Sequence, residues 1–249
     1  FPVVRESLGF QDALYGFKSG FDPVSGALGL KAGGYWPHNA DKGLANHQSS
    51  IFLFDPETGQ CKALLAGNTI TALRTAAASA VSIDRLAVTD PTTLGLVGTG
   101  HQSIFQLEAA LRVRAFEQVK IWNRSNRDLS KHHALAESYG VACNEASLEE
   151  VVRESQVIIT ITSCMEALFP GDWVTPGTHI AAMGTDTKGK QELDPTLSQR
   201  AIRITDEIAQ SRTIGEFQHV APDSEILTIG SILQGTSTGR TGDNQITVF

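Results

Sequence analysis

The feature that most constrains this chain is a short apolar run that ends in two closely spaced glycines and leads straight into a helical pattern. Thr93–Val97 is the apolar run, Gly98-Thr99-Gly100 follows it, and His101–Arg114 carries apolar residues on one helical face. At such a junction the first glycine permits a tight bend, the second lets a phosphate approach the backbone, and the helix N-terminus supplies free N–H groups. The pattern predicts a dinucleotide-binding turn, with the small residue Ser103 where a third glycine or alanine is usual. A tight turn that binds no nucleotide is the alternative.

Short apolar runs alternate with helical stretches through the C-terminal two-thirds of the chain. Strands that are apolar on both faces and alternate with helices form parallel sheets covered on both sides, so this part is predicted to be a Rossmann-type, doubly wound α/β domain. The predicted strands are Thr93–Val97, Gln118–Trp122, Val157–Thr162, His179–Met183, Ala201–Thr205 and Gln245–Phe249, and the predicted helices are His101–Arg114 and Arg127–Tyr139.

The first part of the chain has a different pattern. Ser50–Phe54 and Cys61–Leu65 flank a turn at Asp55–Gly59, which indicates an antiparallel hairpin. An alanine-rich helix over Thr69–Ala87 follows, capped by Asn68 or Thr69. Its predicted apolar face consists of Ile70, Leu73, Ala77, Ala80 and Val81. We therefore predict a smaller α+β domain over residues 1–88 and the Rossmann domain over residues 89–249.

Composition limits the possible partners and the compartment. The 249 residues carry a net charge of −7 without a block of Lys or Arg, so we expect neither nucleic acid nor a membrane surface as a partner. No apolar run approaches the roughly 20 residues that cross a bilayer. The three cysteines are widely spaced, which favours the cytoplasm and no disulfide framework or zinc site. Both ends look abrupt, and we expect that flanking segments are absent.

The end of the second predicted strand indicates the type of nicotinamide cofactor. An acid there would hold the ribose 2′-OH of NAD, whereas basic and hydroxyl groups accept the 2′-phosphate of NADP. This chain has Asn123-Arg124-Ser125 and then Arg127, with no acid before Asp128. The pattern favours NADP(H) over NAD, with the alternative that Arg124 stacks on the adenine of NAD.

Further cofactor contacts are expected where other strands end, because in open α/β sheets the carboxyl ends of the strands face the ligand crevice. The hydroxyls of residues 160–163 are predicted to line the cofactor path, unless they only cap the next turn. The complete set of predicted cofactor-binding residues is Thr75, Gly98, Gly100, His101, Gln102, Ser103, Asn123, Arg124, Ser125, Arg127, Thr160, Ile161, Thr162, Ser163, Met183 and Gly184.

Three charged residues are candidates for chemistry on a substrate. Asp186 comes just past a predicted strand, where it could exchange a proton with a substrate nitrogen. Arg74 interrupts the alanine-rich helix and Lys31 follows an apolar strand, so both are candidates to bind a carboxylate. The alternatives are a solvated aspartate, an internal salt bridge for Arg74 and a surface position for Lys31.

The histidines and the other sequence motifs indicate no further chemistry. His47 is expected to be structural, and His132 and His133, in a polar helix, are expected to be solvated. No spacing supports a metal site, and no Gly-x-Ser-x-Gly motif supports a hydrolase.

Several stretches together resemble the ornithine cyclodeaminase/mu-crystallin family. Thr69–Ala80 is similar to the signature helix of that family, and three more stretches agree with it in the same order. These are Asn46-His47-Gln48, Ile121–Ser125 and Gly184–Leu193. The resemblance covers nearly the whole chain.

The resemblance implies a homodimer whose N-terminal domain, completed in the family by residues from both chain ends, binds substrate and forms the dimer. It also implies that the Rossmann domain binds NAD(P), and that Arg5, Lys31 and Arg74 bind the substrate carboxylate while Asp186 is the catalytic acid. Lys31 is counted with Asp186 among the catalytic residues. Known activities of the family are ornithine cyclodeamination, amino-acid dehydrogenation and imine reduction.

These observations together favour an NAD(P)H-dependent imine reductase or amino-acid dehydrogenase acting on a small imino or amino acid, of the iminosuccinate, pyrroline-2-carboxylate or alanine type. Family members that cyclodeaminate tend to carry an acid after the second strand, where this chain has Asn123-Arg124-Ser125. One alternative is a cyclodeaminase that recycles NAD. Another is a ligand-binding protein that has kept the cofactor and lost catalysis.

Overall fold

The computed structural model describes residues 3–125 and 127–249, without the side chain of Arg5. The chain divides into two compact units, Phe1–Arg74 and Thr75–Phe249, which we call the N-terminal and C-terminal units. The boundary falls inside a helix, earlier in the chain than the predicted domain junction at residue 88.

The N-terminal unit is built on a five-stranded antiparallel sheet. Its strands pair in chain order. They are β1 (Val3–Ser7), β2 (Leu14–Asp22), β3 (Ala27–Tyr35), β4 (His47–Phe54) and β5 (Cys61–Ala66), with a short 3-10 helix at Ala40–Lys42. The predicted hairpin between β4 and β5 is confirmed. Its turn is held by Asp55, whose Oδ1 accepts hydrogen bonds from the backbone N–H groups of Glu57 (2.9 Å) and Thr58 (3.0 Å).

The two faces of this sheet differ in chemistry. Successive side chains of a strand point to opposite faces, and the strand register shows which residues of neighbouring strands share a face. One face, here called the lysine face, carries Lys18, Lys31, Tyr35, His47 and Ser49. The opposite face, here called the aromatic face, carries the exposed apolar residues Val4, Tyr15, Phe17, Phe21 and Leu64.

Helix α1 (Gly67–Leu86) confirms the predicted alanine-rich helix but not its orientation. Four of the five residues of the predicted apolar face are exposed in the single chain, and Ala80 alone of the five is buried. Through the first part of the helix the buried positions are small or polar instead: Thr71, Ala72, Thr75, Ala76, Ser79 and Ala80. Large apolar residues, Ile83 and Leu86, are buried only near its C-terminal end. Small side chains allow close backbone approach, so they occupy the packed side. Asn68 and Thr69 both lie within the helix, and Asn68 bonds β4, so the prediction that one of them caps the helix was wrong.

The C-terminal unit contains an eight-stranded sheet in the order β12-β11-β13-β10-β9-β6-β7-β8, with parallel pairing throughout. The strands are β6 (Thr93–Val97), β7 (Gln118–Trp122), β8 (Ala142–Glu145), β9 (Val157–Thr160), β10 (His179–Ala182), β11 (Ala201–Thr205), β12 (Leu227–Thr228) and β13 (Ile246–Val248). The helices are α2 (Ser103–Val113), α3 (Ser130–Ser138), α4 (Leu148–Glu154), α5 (Pro195–Arg200), α6 (Ile208–Ile214) and α7 (Ile229–Leu233), with 3-10 turns at Gly171–Trp173 and Glu216–His219.

Two apolar layers cover this sheet, one on each side. Val157 and Ile159 of β9 belong to one layer and Ile158, between them, to the other. All three are fully buried. This confirms the prediction of a doubly wound α/β domain. The strand order reverses between β6 and β9, and ligands of such sheets bind outside the carboxyl ends of the strands at that point.

The predicted elements of the C-terminal unit differ from the observed ones mainly at their ends, whereas β8, β12 and the helices α4 to α7 were not predicted. Helices α2 and α3 are shorter than predicted, and β9 ends at Thr160 rather than at Thr162. The last strand, β13, lies between β10 and β11, so the end of the chain completes the middle of the sheet. In the ranges that the structure describes, no helix has the length and apolar character needed to cross a bilayer.

Candidate functional site

The glycine turn lies at the reversal point of the large sheet. Gly98 follows β6 with φ of +104°, a conformation that favours glycine. A Cβ at Gly98 would also lie 2.8 Å from the carbonyl oxygen of Ile161, which follows β9. Two features therefore require glycine at position 98: the backbone conformation and the close approach of the neighbouring strand end.

Gly100 and nearby polar groups fit the pyrophosphate and ribose of a dinucleotide. A Cβ placed on Gly100 meets nothing within 4 Å among the described atoms, so this side of the turn is open where α2 begins. The buried atoms Gln102 Oε1 and Asn123 Nδ2 have no hydrogen-bond partner within the described part of the chain. Both residues are predicted cofactor contacts. Open backbone at a helix N-terminus and polar atoms that lack partners are what a bound dinucleotide would use.

The segment after β7 is polar and accessible. Asn123 Oδ1 accepts a hydrogen bond of 3.2 Å from the backbone N–H of Ser125, which orders the turn. Arg124, Ser125 and Arg127 are exposed, as a ribose-binding edge requires. His101, also predicted to contact the cofactor, is exposed, and its ring lies 5.5 Å from that of Phe105.

The prediction that His132 is solvated was wrong, whereas His133 is exposed as expected. Ser103 Oγ donates to Gly100 O at 2.7 Å, so the 2.8 Å contact between Ser103 Oγ and His132 Nε2 is donated by the imidazole. Burial, with the nearby charge of His133, lowers the pKa of His132. The neutral imidazole of His132, on α3, thus supports the glycine turn through Ser103.

Glu192 joins the two strand ends next to the turn. It is fully buried. Its carboxylate accepts hydrogen bonds from Thr160 Oγ1 (2.7 Å), Thr162 N (2.7 Å), Thr162 Oγ1 (2.6 Å) and Gly184 N (2.8 Å). Thr160 is itself fully buried, so its hydroxyl supports the loop instead of lining a ligand path.

A second buried acid holds the loop that carries Asp186. Glu216 accepts hydrogen bonds from Thr185 Oγ1 at 2.6 Å and from the backbone N–H of Leu193 at 2.9 Å. Burial raises the pKa of Glu216, and the bond from Thr185 opposes that rise. Thr185, just before Asp186, and Leu193, seven residues after it, are thus anchored to the same buried acid.

Asp186 itself is accessible. Its side chain is 48% exposed and Oδ1 lies 2.9 Å from Lys190 Nζ. Lys190 also donates to Gly184 O at 3.0 Å. The structure therefore presents a carboxylate at the carboxyl end of β10, on a fixed loop, with an ammonium group within proton-transfer distance.

The predicted carboxylate-binding residues belong to the N-terminal unit. Lys31 is half-buried on the lysine face, and its Nζ donates to Thr71 Oγ1 at 3.3 Å. Ser49 Oγ lies 3.4 Å from the same hydroxyl, and the backbone N–H of Ser49 donates to Asn68 Oδ1 at 2.8 Å. These bonds fix the start of α1 against the face from which Lys31 rises.

The other predicted residues of this group are placed differently. Arg74 is exposed on α1 in the single chain, so its predicted need for an anionic partner does not follow from burial. Thr75 is buried and His47 is half-buried. The backbone of Arg5 pairs with Gly16 in the sheet, and its side chain lies outside the described residues.

Sequence reasoning missed Glu192, Glu216 and Lys190 as functional supports. Glu192 and Lys190 stand in the stretch that resembles the family, but neither was assigned a role. The available signal was an acid between an exposed loop and the apolar residue Leu193. No described group of three or more His, Cys, Asp or Glu residues is arranged to hold a metal ion.

The chain is similar to proteins that act on imino and amino acids. Residues 22–249 match the sequence profile of the ornithine cyclodeaminase/mu-crystallin family. Iminosuccinate reductase from Paracoccus denitrificans is 50% identical over 254 aligned positions, which cover 100% of this chain and 79% of that protein. The crystal structure of that reductase in complex with NAD+ superimposes with a TM-score of 0.91.

Two further solved structures share the fold. Δ1-pyrroline-2-carboxylate reductase from Thermococcus litoralis, in complex with NADH and L-proline, has a TM-score of 0.91 at 26% identity, covering 99% of this chain and 79% of that one. An archaeal alanine dehydrogenase, solved as a dimer with bound NAD, has a TM-score of 0.89 at 31% identity, covering 100% of this chain and 78% of that one. On this evidence the chain belongs to the ornithine cyclodeaminase/mu-crystallin family.

Proposed function

We propose that this protein reduces iminosuccinate to aspartate with a reduced nicotinamide cofactor. It is a nicotinamide-dependent oxidoreductase that acts on a carbon–nitrogen bond of a small imino or amino acid. The observation that carries the choice of substrate is the 50% identity, over the whole chain, with an iminosuccinate reductase. The glycine turn at the reversal point of the sheet supports the cofactor, and the cations of the N-terminal unit support an acidic substrate.

The chemistry needs one hydride at the imine carbon and one proton at the nitrogen. When bound, the nicotinamide supplies the hydride. Lys31 and Arg74, with Arg5, bind the carboxylate next to the reacting carbon and so orient the imine. Asp186 delivers the proton to the nitrogen, and Lys190, 2.9 Å from its carboxylate, returns a proton to it. The product is the amino acid.

NADH is the first candidate for the cofactor and NADPH the second. The relative that shares half of its residues with this chain was solved with NAD+. The segment after β7 favours the phosphorylated cofactor, because Arg124, Ser125 and Arg127 are exposed there and no acid precedes Asp128. Titration of the protein with both reduced cofactors decides between them.

A second copy of this chain is the proposed partner. The aromatic face has five large apolar residues that are each 37% or more exposed: Val4, Tyr15, Phe17, Phe21 and Leu64. A contiguous apolar surface of this kind marks an interaction site. The related archaeal alanine dehydrogenase was solved as a dimer, which favours a homodimer over a different partner.

The test is an assay of cofactor oxidation with imines formed in solution. Oxaloacetate with ammonium is supplied as the source of iminosuccinate, pyruvate with ammonium as the source of the three-carbon imine, and a cyclic imino acid as a third substrate. We expect NADH or NADPH to be consumed in proportion to aspartate formed, with oxaloacetate as the preferred keto acid. Absence of turnover with all three would contradict the proposal.

The same preparation tests the two alternatives. Release of ammonia from ornithine with only catalytic NAD would identify a cyclodeaminase. Tight binding of the imines without turnover would identify a binding protein.

A further inference from the structure

Lys18 and Lys31 lie directly opposite each other on neighbouring antiparallel strands. The register pairs them across β2 and β3, so both side chains leave the sheet on its lysine face. Cβ atoms of residues opposed in this way are about 4.5–5.5 Å apart. Both lysines are half-buried. Two ammonium groups therefore start from neighbouring points of one partly enclosed surface.

The positions next to the lysine pair on this face carry no side chains. On the same face, glycines occupy the next positions in both directions on both strands: Gly16 and Gly20 in β2, and Gly29 and Gly33 in β3. The glycine at 33 is also required by packing, since a Cβ there would lie 2.3 Å from Gln48 O. Because glycine has no side chain, none of these four positions places a side chain between the two ammonium groups and a bound anion.

Near the lysine pair, the charge of the described strand residues on this face is mainly positive. Among the described strand residues of the lysine face, the acid is Asp22, four residues from Lys18 along β2 and thus about 13 Å away. Its carboxylate accepts hydrogen bonds from Val24 N at 3.1 Å and Ser25 Oγ at 2.6 Å. The surface around Lys18 and Lys31 is therefore suited to bind more than one negative charge.

The contacts of Lys31 distinguish its role from that of Lys18. Lys31 Nζ donates to Thr71 of α1 at 3.3 Å, and Arg74 follows three positions later, on the adjoining helix surface. Lys31 is thus directed towards the other residue proposed for the carboxylate next to the reacting carbon. Lys18 is one strand further from β4 and supplies a second cation.

We propose that Lys18 binds the side-chain carboxylate of the substrate and so selects a four-carbon imino diacid over a three-carbon imino monoacid. This inference rests on the proposed function and adds the residue that recognises the substrate side chain. Two carbon atoms separate the carboxylates of a four-carbon diacid, a span that two ammonium groups from opposed cross-strand positions can meet together. Ion-paired hydrogen bonds of this type are among the stronger ones in proteins.

The experiment compares Lys18→Met, which keeps the length of the side chain without its charge, with Lys18→Arg and the control Lys42→Met. Lys42 is an exposed lysine of the same unit, in the 3-10 helix Ala40–Lys42. For each protein, kcat/KM is measured with the imines of oxaloacetate and of pyruvate. Binding of succinate and of propionate is measured by calorimetry, so that recognition is followed without turnover.

We expect Lys18→Met to lower the ratio of kcat/KM for the diacid to that for the monoacid by about tenfold or more, through KM. Succinate binding weakens by a similar factor relative to propionate. Lys18→Arg keeps most of the diacid preference, and Lys42→Met keeps the wild-type ratio. An unchanged ratio in Lys18→Met, or an equal loss for both imines, overturns the proposal. If Lys18→Met does not fold, the same ratio in Lys18→Gln decides.

Failure of the proposed function has a different signature. If the wild-type protein turns over neither imine, iminosuccinate reduction is wrong, and calorimetry still tests Lys18. Weaker succinate binding in Lys18→Met than in the wild type then supports Lys18 as the carboxylate-binding residue. Equal succinate binding in the two proteins overturns it.

Discussion

Glu192 accepts a hydrogen bond of 2.7 Å from Thr160 Oγ1, and this contact ties the end of β9 to the loop that follows β10. The same carboxylate accepts the backbone N–H groups of Thr162 and Gly184. Burial raises the pKa of Glu192, and the hydrogen bonds from Thr162 and Thr160 oppose that rise. One buried acid thus sets the positions of both strand ends beside the glycine turn.

Replacing Glu192 with glutamine is expected to destabilise the protein and to weaken cofactor binding. Oε1 accepts Thr162 N and Oε2 accepts Gly184 N. Whichever way the amide is turned, its NH₂ group therefore meets a backbone N–H. A buried donor left without an acceptor costs about 1–3 kcal/mol. Urea unfolding and NADH titration measure the two effects. The exposed acid in Glu225→Gln serves as the control, and equal behaviour of the two variants would refute a positioning role.

Alanine at the two glycines of the turn separates folding from binding. Gly98→Ala is expected to lower the melting temperature, because Gly98 has φ of +104° and a Cβ there would lie 2.8 Å from Ile161 O. Gly100→Ala keeps the wild-type melting temperature, since nothing described lies within 4 Å of its Cβ. It nevertheless weakens NADH binding by about tenfold or more, because the new methyl group occupies space that the pyrophosphate needs. Unimpaired binding in Gly100→Ala would place the cofactor elsewhere.

Asp186→Asn is expected to lower kcat by about 10²–10⁴-fold, the usual contribution of a positioned acid. NADH affinity should stay near the wild-type value, because the proposed role of Asp186 is to protonate the nitrogen of the substrate and Asp186 is not among the residues proposed to bind the cofactor. Steady-state rates and cofactor titration give the two quantities. The control is Asp90→Asn, which changes an exposed aspartate in a loop of the same unit. Normal turnover in Asp186→Asn would remove this residue from the mechanism.

His179 makes stability depend on pH in the acid range. It is fully buried, and burial, together with the charge of Arg240, lowers its pKa from 6.5 to about 3. Its ring bonds Ser82 Oγ at 3.1 Å and Thr247 Oγ1 at 2.9 Å. Between these two pKa values the unfolded chain binds a proton that the folded chain does not. The contribution to stability is therefore complete above pH 6.5 and falls by up to about 1.4 kcal/mol per pH unit below it.

His179→Gln is expected to flatten this dependence. Thermal unfolding from pH 7 down to about pH 4 measures it, with the exposed-histidine variant His133→Gln as the control. Parallel curves for the wild type and His179→Gln would show that another group is responsible.

A glutamate on the aromatic face is expected to separate the proposed dimer. Phe17 is 41% exposed in the single chain, and burying an unpaired charge at its position is strongly unfavourable. Phe17→Glu should therefore elute as a monomer in size-exclusion chromatography with light scattering. Val24→Glu, in the turn after β2, changes a residue that is 94% exposed and should leave the dimer intact. A wild-type monomer, or a dimeric Phe17→Glu variant, would contradict the assignment of this face.

Local patterns in the chain were enough for the fold class and the glycine turn. The alternation of apolar runs with helical stretches depends on neighbours within one element, so β6, α2, β7, β9, β10, β11 and β13 could be predicted to within a few residues. The short strands β8 and β12 were missed. Gly98 and Gly100 were recognisable because a strand, a turn and a helix meet there in sequence. The family could be identified for the same reason, from short stretches in the correct order.

The support of the site was decided by tertiary structure alone. Glu192 and His132 are polar residues in polar stretches, and their buried hydrogen-bond partners Thr160 and Ser103 are distant from them in sequence. Tertiary packing also decided that Leu73 on α1 points outward. Small residues of the helix allow close approach and therefore lie on its packed side. The opposition of Lys18 and Lys31 depends on strand register, which a single sequence leaves open. Sequence determines what an element is, whereas the burial and partners of a single side chain depend on which distant segment packs against it.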